Sequence, residues 1–400
     1  MPRNGSGVYS LPAGNPVVTG TIISSTVMNN TTSDIATALT GSLSADGQTA
    51  WTGNQNANSN RLTNLTAGVN SNDATTVTQV GGLIGALSYR NKIRNPKHEV
   101  AQRGTSITGV TNNLTYTLDG WAWWNSGAST SVVTVSQQAD VISGADYQYS
   151  LRVTVTTADT SITASKFVGI YQPIEGYLVR DLIGNPIALR FDVRSAKTGT
   201  HCVSIQTSTQ AYVMTYNVAV ANTWQTVTLT LPVGLTNTLT STTTGLGINV
   251  KWALLAGANF LTTAGTWQNG AFTAVSGQVN VLDTIGNIFA IGGVQLERAR
   301  DSSNVVSTML EHRTPTDEIS LNQRYYETGG VKAGTNATTT NATIVFKVPK
   351  RGTPTMAYGN SPQGAGTSLP TGTDWTGTTE VFVFANATTL NCGWTASAEL

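Results

Sequence analysis

Charge is what this chain has least of. Asp, Glu, Lys and Arg make up 11% of its 400 residues, against roughly 25% in an ordinary globular domain, and the formal net charge is +1. No cluster of Lys and Arg occurs, which removes the electrostatic footprint by which nucleic acids are held. Cysteine is nearly absent too. Cys202 and Cys392 lie far apart in sequence, one pair is no disulfide framework, and two buried free thiols are expected. No run approaches the roughly 18 apolar residues of a membrane span, and Met1-Pro2-Arg3-Asn4-Gly5 lacks the apolar core of a secretory signal. The expectation is a chain made and kept soluble in a cytoplasm, although its Thr-, Asn-, Ser- and Gly-rich polar positions suit stiff extracellular β-structure. Release by lysis, which needs no export signal, reconciles the two.

Catalytic signals are equally scarce. The three histidines, His98, His201 and His312, are scattered, lack the spacing of a metal site, and each reads as a surface or turn residue. Glycoside hydrolysis needs two carboxylates flanking the bond, and Asp283 with Glu297 or Glu175 with Asp181 carry nothing beyond proximity in sequence. Asp283-Thr284 and Glu297 read better as residues that cap turns and close the end of a domain. No nucleophile elbow, phosphate-binding glycine loop or Cys-Xaa-Xaa-Cys pair appears. No catalytic residue, metal ligand or cofactor is assigned.

What the chain has in quantity is alternation. Tyr147, Tyr149, Leu151, Val153 and Val155 share one face of an extended segment, and Tyr212, Met214, Tyr216, Val218 and Val220 repeat the pattern. Leu189, Phe191 and Val193 follow suit, as do Val227, Leu229 and Leu231, and Leu246, Ile248, Val250, Trp252 and Leu254. Period two over so many segments predicts half-buried β-strands. Two stacked antiparallel sheets satisfy them best, each burying one face. The expected fold is mainly β, with an antiparallel jelly-roll sandwich over 93–326.

Residues 1–50 contain only short extended pieces broken by Gly, Pro and Asn, with a helix expected from Ser33 or Asp34 through Leu39 to Gly41. Residues 51–92 read as linker and neck, where Val77, Val80, Ile84 and Leu87 follow Asp73, a candidate N-cap, with the a/d rhythm of a coiled-coil seam. A short amphipathic helix packed on its own domain fits the same spacing. The stretch 327–400 is a small β unit: Ile344 to Val348 and Val381 to Phe384 read as buried strands and Trp394 to Leu400 as a last one, after a helical turn starting at Thr316. Pro349, Pro354, Pro362 and Pro370 confine the intervening chain to loops or edges. About seventy residues make a marginal core alone, so this unit is expected to rest on the sandwich or across a trimer axis. Its loops at Gly359–Gly372 are candidates for contact with a host.

Several stretches resemble known proteins. Residues 1 to about 48, from Met1-Pro2-Arg3-Asn4-Gly5 through Ala45-Asp46-Gly47-Gln48, resemble the virion-anchoring amino terminus of tailed-bacteriophage fibre and spike proteins, and residues 60 to 80 resemble a collar-like repeat of phage tail fibres. Residues 94 to 326 resemble a carbohydrate-binding-module-like jelly roll of phage fibres. They do so through Arg94-Asn95-Pro96, Ala101-Gln102-Arg103-Gly104, Asp119-Gly120-Trp121, Gln172 to Gly176, Asn222-Thr223-Trp224, Gly293 to Glu297 and Gln323-Arg324-Tyr325-Tyr326. The resemblance implies a homotrimeric fibre docked to other virion proteins by residues 1–50, assembled in the host cytoplasm and exposed on the particle. No stretch resembles a sugar-cleaving tailspike. A purely structural fibre or decoration of head, neck or tail is the alternative, and a polysaccharide-degrading tailspike a more distant one.

Binding then falls to aromatic residues. In Asp119-Gly120-Trp121-Ala122-Trp123-Trp124-Asn125, alternation puts Trp121 and Trp123 on one face of a strand and Trp124 on the other. Sugar rings dock on aromatic faces, with amides taking their hydroxyls. The candidate platform for bacterial surface polysaccharide is Trp124 and Asn125 with Tyr171 and Tyr177. The competing reading makes all three tryptophans core or trimer interface.

Overall fold

In the computed structural model, the described residues are 19–20, 22–40, 63–69, 73–75, 89–111, 114–126, 129–235, 239, 241–299, 309–334, 340–359, 369–386 and 389–400. They divide between two units, Met1–Val80 and Gly81–Leu400. The coiled-coil positions Val77, Val80, Ile84 and Leu87, and residues 1–18, 21 and 41–48 of the anchor-like motif, lie outside the described residues.

The first unit holds helix α1, Ser25–Thr40. It begins well before the cap expected at Ser33 or Asp34. The hydroxyls of Thr31 and Thr37 donate to the carbonyls of Val27 and Ser33 one turn back (both 2.9 Å), so these residues satisfy themselves within the helix and do not end it.

The sandwich occupies the second unit. Its strands are β1 (Ser106–Val110), β2 (Leu114–Tyr116), β3 (Ala122–Asn125), β4 (Val132–Gln138), β5 (Ser150–Thr157), β6 (Phe167–Glu175), β7 (Ile187–Ser195), β8 (Gly199–Gln206), β9 (Gln210–Val218), β10 (Gln225–Leu231), β11 (Leu246–Ala256), β12 (Trp267–Asn269) and β13 (Ile288–Arg298). One sheet runs β1-β4-β5-β13-β7-β10 and the other β12-β9-β8-β11-β6-β3-β2. Strand β13 returns between β5 and β7, and β11 between β6 and β8, the interleaved winding of a jelly roll. Every strand pairing is antiparallel.

The alternating residues fill the space between the sheets. Leu151, Val153 and Val155 from β5 meet Leu189, Phe191 and Val193 from β7, with Val203, Met214, Val250 and Trp252 opposite. Trp121 and Trp123 are fully buried there. An unbroken series of aromatic contacts crosses this core from Trp121 to Trp252 (5.6 Å between ring centroids), Phe191 (5.6 Å), Tyr216 (5.2 Å) and His201 (5.5 Å). His201 is thus a core residue rather than a surface one, and its burial lowers its pKa. His98 sits at a turn as expected but is also sealed, with its pKa pushed down to about 3 by desolvation. The alternation of β9 ends at Val218, and Val220 lies beyond the strand with most of its surface in water.

Helix α2 (Pro315–Gln323) follows, capped by Thr314, which accepts from the Asp317 N–H, instead of by Thr316. Two three-stranded sheets complete the chain. In one, β19 (Thr389–Ser397) lies between β14 (Tyr326–Gly334) and β16 (Thr355–Gly359); in the other, β18 (Glu380–Ala385) lies between β15 (Thr340–Val345) and β17 (Gly372–Thr376). Val381 and Val383 are buried while Phe382 is exposed, so β18 alternates where continuous burial was expected. Cys202 and Cys392 are both free and buried.

This small unit rests on the sandwich. Arg324 donates to both carboxylate oxygens of the fully buried Glu175 (2.9 and 3.1 Å). The guanidinium of Arg94 lies 3.4 Å from the Tyr325 ring centroid, and that of Arg103 lies 3.5 Å from that of Tyr326 while pairing with Glu399 at 2.8 Å. Gln172 exchanges hydrogen bonds with the Arg94 main chain, and the Asn95 side chain reaches the carbonyls of Val100 and Asp119. Much of the motif set that carries the jelly-roll resemblance therefore meets in one buried polar junction. Those residues hold the two parts together.

Candidate functional site

Alternation along β3 sorts its residues by face. Trp121 and Trp123 go inward, and Ala122 and Trp124 go to the outer face of the seven-stranded sheet. Register then decides what Trp124 meets. It stands opposite Gly169 of β6, which is opposite Ala253 of β11; one row along, Ala122, Tyr171, Lys251 and Ser204 line up across β3, β6, β11 and β8.

Phe167 and Tyr171 flank Gly169 on this face. The Trp124 ring lies edge-on to Phe167 (5.1 Å) and tilted to Tyr171 (6.2 Å). Gly169 has no room for a side chain, because a Cβ there would come within 2.2 Å of the Trp252 carbonyl oxygen. Small residues at 169 and 253 leave a dip that the indole spans. Phe260 extends the aromatic surface beyond Phe167 (5.7 Å).

Beneath the shelf sits Lys251. Its Nζ is 3.6 Å from the Trp124 ring centroid, 5.8 Å from that of Phe167 and 5.9 Å from that of Tyr171. The side chain is buried, and desolvation lowers its pKa from 10.5 to about 7. An ammonium covers one face of an indole. Trp124 is half-buried and packs against the cluster formed by Phe167, Cys202, Val213, Ala253 and Ala274. Tyr171 is buried and its hydroxyl is pushed up to about 12, chiefly by desolvation. Beside it, Tyr116 donates to the main-chain oxygen of Leu400, so the end of the chain borders the shelf.

Of the residues singled out from sequence, the structure brings Trp124 and Tyr171 together. Asn125, adjacent on the strand, points the other way: its amide donates to the carbonyls of Thr111 (3.1 Å) and Ser129 (3.3 Å) and ties two loops. Tyr177 lies beyond the end of β6 in a 3-10 turn, near Arg324 (5.8 Å), and makes no ring contact with Trp124 or Tyr171. Sequence reading missed Phe167 and Lys251. The signal for Lys251 was present, as the one charge inside the apolar run Ile248 to Leu255.

The carboxylates considered for hydrolysis are each engaged by a cation. Glu175 is held by Arg324, Asp181 by Lys92 (2.8 Å), Asp283 by Lys197 (2.7 Å) and Glu297 by Arg90 (3.1 Å). Among the described residues, no group of three His, Cys, Asp or Glu side chains is arranged to hold a metal.

Fold and site together define an antiparallel β-sandwich whose outer face carries an aromatic shelf over a buried lysine. No protein-family model matches the chain, and no curated protein matches it either. Among solved structures it is similar to the enzymatically active domain of tailspike protein 4 of bacteriophage CBA120, at 17% identity and a TM-score of 0.30 over 52% of this chain and 22% of that one. It is also similar to the family 11 carbohydrate-binding module of cellulosomal cellulase Lic26A-Cel5E of Clostridium thermocellum (11% identity, TM-score 0.27, 48% of this chain and 97% of that one). A third is TmCBM61 in complex with β-1,4-galactotriose (12%, 0.26, 52% and 99%). The chain thus spans less than a quarter of the tailspike domain's length. Likeness at this level carries no functional argument, which rests on the shelf itself.

Proposed function

We propose that this chain is a glycan-binding fibre protein of a tailed-bacteriophage particle, attached by residues 1–50 and recognising host surface polysaccharide through the outer face of its sandwich. The observation that carries the binding half is the half-buried Trp124, held by Phe167, Tyr171 and Lys251 on the outer face of the sheet, at the margin of the second hydrophobic cluster. A large aromatic ring kept partly wet by its own scaffold suits the apolar C–H face of a pyranose. The virion half rests on the resemblance of the amino terminus. A single shallow sugar site binds at about millimolar strength, near −4 kcal/mol. Three copies per trimer and several trimers per particle raise avidity by roughly 10²–10⁴, so a homotrimer makes such a site sufficient.

The test is binding of the full chain to host cells and to a glycan array, beside Trp124→Ala. Loss of binding by a variant that keeps its thermal unfolding profile and oligomeric state supports the reading. Unchanged binding by that variant, or binding by neither protein, refutes it, and release of reducing sugar would replace it with a depolymerase.

A further inference from the structure

The outer face of the six-stranded sheet carries more cation than anion. Parity along β5 and β7 sends Leu151, Val153, Phe191 and Val193 into the core and turns Arg152, Arg190, Asp192 and Arg194 outward. Asp140, just past β4, is the other acid here: one of its oxygens accepts from Arg194 (2.5 Å) and the other from the Trp224 indole N–H (3.1 Å). Asp192 is taken likewise, accepting from Tyr147 (2.7 Å) and Thr226 (2.6 Å) with Arg190 at 3.6 Å. The six strands hold no other charge but Glu297 and Arg298 at the far end of β13, where Glu297 is engaged by Arg90. Three guanidiniums therefore face two carboxylates, and Arg152 is left over. Among the described residues it is the one arginine not exposed that makes no hydrogen bond, ion pair or ring contact.

Register sets the geometry. Ser136, Arg152, Ala290 and Arg194 form one row across β4, β5, β13 and β7, so only the Ala290 methyl stands between the two arginines, whose Cα atoms are about 10 Å apart at two strand spacings. The Nε of Arg152 is sealed from water without a partner, whereas its two Nη atoms are not sealed. A ligand therefore meets this guanidinium end-on, at the Nη pair. Trp224 borders the Arg194 end of the row. The Asn222 N–H donates to the Ser195 carbonyl (2.7 Å), and a φ of 56° at Asn222 turns the chain back beside the end of β7. We propose that this row is a second binding site, on the sheet opposite Trp124, where the carboxylate of an acidic sugar docks end-on on the Arg152 guanidinium. The parallel N–H pair matches the two oxygens of a carboxylate, and both acids of this face already have their oxygens engaged. Thr154, the next outward residue of β5, and the half-buried Trp224 are neutral neighbours suited to a sugar. This site goes beyond the glycan-binding reading at Trp124 and shares no residue with it.

The experiment compares methyl β-glucuronoside with methyl β-glucoside, which differ only in the C6 carboxylate, and with acetate, by ligand-observed NMR on the full chain at pH 7. Wild type should bind the glucuronoside about tenfold more tightly than either of the others. Arg152→Gln breaks no contact, should keep the wild-type unfolding profile, and should lose that preference. Arg180→Gln, at an exposed arginine of the 3-10 turn after β6, should keep it. Trp124→Ala should keep it too, so failure of this site and failure of the shelf are read separately. Equal affinity for the two sugars, binding of neither, or a preference that survives in Arg152→Gln overturns the site. Acetate binding as tight as the glucuronoside, or a preference lost equally in Arg180→Gln or in Trp124→Ala, overturns it as well.

Discussion

Lys251→Met should stabilise the protein, and the size of the gain follows from the site. Methionine keeps an unbranched apolar stem and removes the charge. Burial lowers the lysine's pKa from 10.5 to about 7. The folded value lies below the unfolded one, so between them the unfolded chain binds more protons, and this group makes stability rise with pH from about 7 to about 10.5. At pH 6 the full penalty applies, and at about 1.4 kcal/mol per unit it amounts to about 5 kcal/mol. Loss of the cation–π contact with Trp124 subtracts about 1 kcal/mol. The variant should therefore gain about 4 kcal/mol at pH 6, a rise in Tm on the order of 6 °C for a unit of this size. At pH 10 the remaining penalty is below about 1 kcal/mol, so the two proteins should unfold nearly together. Scanning calorimetry of both at each pH supplies the numbers. Buried tyrosines whose pKa values are raised, such as Tyr171, lower alkaline stability in both proteins alike, so the difference between them is the readout. A variant less stable than wild type at pH 6, or a gap that persists at pH 10, would show that Lys251 is not desolvated beneath the shelf.

Arg324→Leu leaves Glu175 buried without its cation, and chemical denaturation should record a loss of about 3–5 kcal/mol; a loss under 1 kcal/mol would mean that the two parts are joined by other contacts. Gly169→Ala drives a Cβ into the Trp252 carbonyl and should cost about 1–3 kcal/mol or more, with the near-ultraviolet dichroism of Trp124 altered; a neutral substitution would contradict the packing of β6 on β11. Cys202 and Cys392, both buried, with burial raising their pKa values, should stay inert to a thiol reagent until the chain unfolds, and rapid labelling of the folded protein would contradict their placement. Deleting residues 1–50 should leave a folded trimer, by sedimentation, that no longer joins particles, and normal incorporation would refute the anchor.

The sandwich was legible because its strands are long and alternate strictly, so that Leu151, Phe191 and Trp252 declare their inward face without any partner. The facing of Trp124 came from the same parity, and parity also set Asn125 against it. What alternation along one strand leaves out is which strands become neighbours. Trp124, Tyr171 and Lys251 come from β3, β6 and β11, brought together by pairings between residues far apart in sequence, so the shelf emerged only with the register. Tyr171 and Tyr177 are expected in loops after the Trp124 strand, but Tyr171 lies within β6, and Tyr177 falls in the 3-10 turn beyond the end of that strand. His201 was misplaced because an imidazole in an alternating strand reads as polar, whereas here it stacks between Tyr216 and Phe289 in the core. Helix α1 overran its expected start because threonine hydroxyls that compete with a helix elsewhere bond back into this one.

The central claim is that sugar is bound on the outer face at Trp124. Titrating the full chain with fragments of purified host polysaccharide while following tryptophan fluorescence tests it directly: wild type should show a saturable change that Trp124→Phe reduces and Trp124→Ala abolishes. A saturable response of undiminished amplitude and affinity in Trp124→Ala would place the site elsewhere on the molecule and contradict the account.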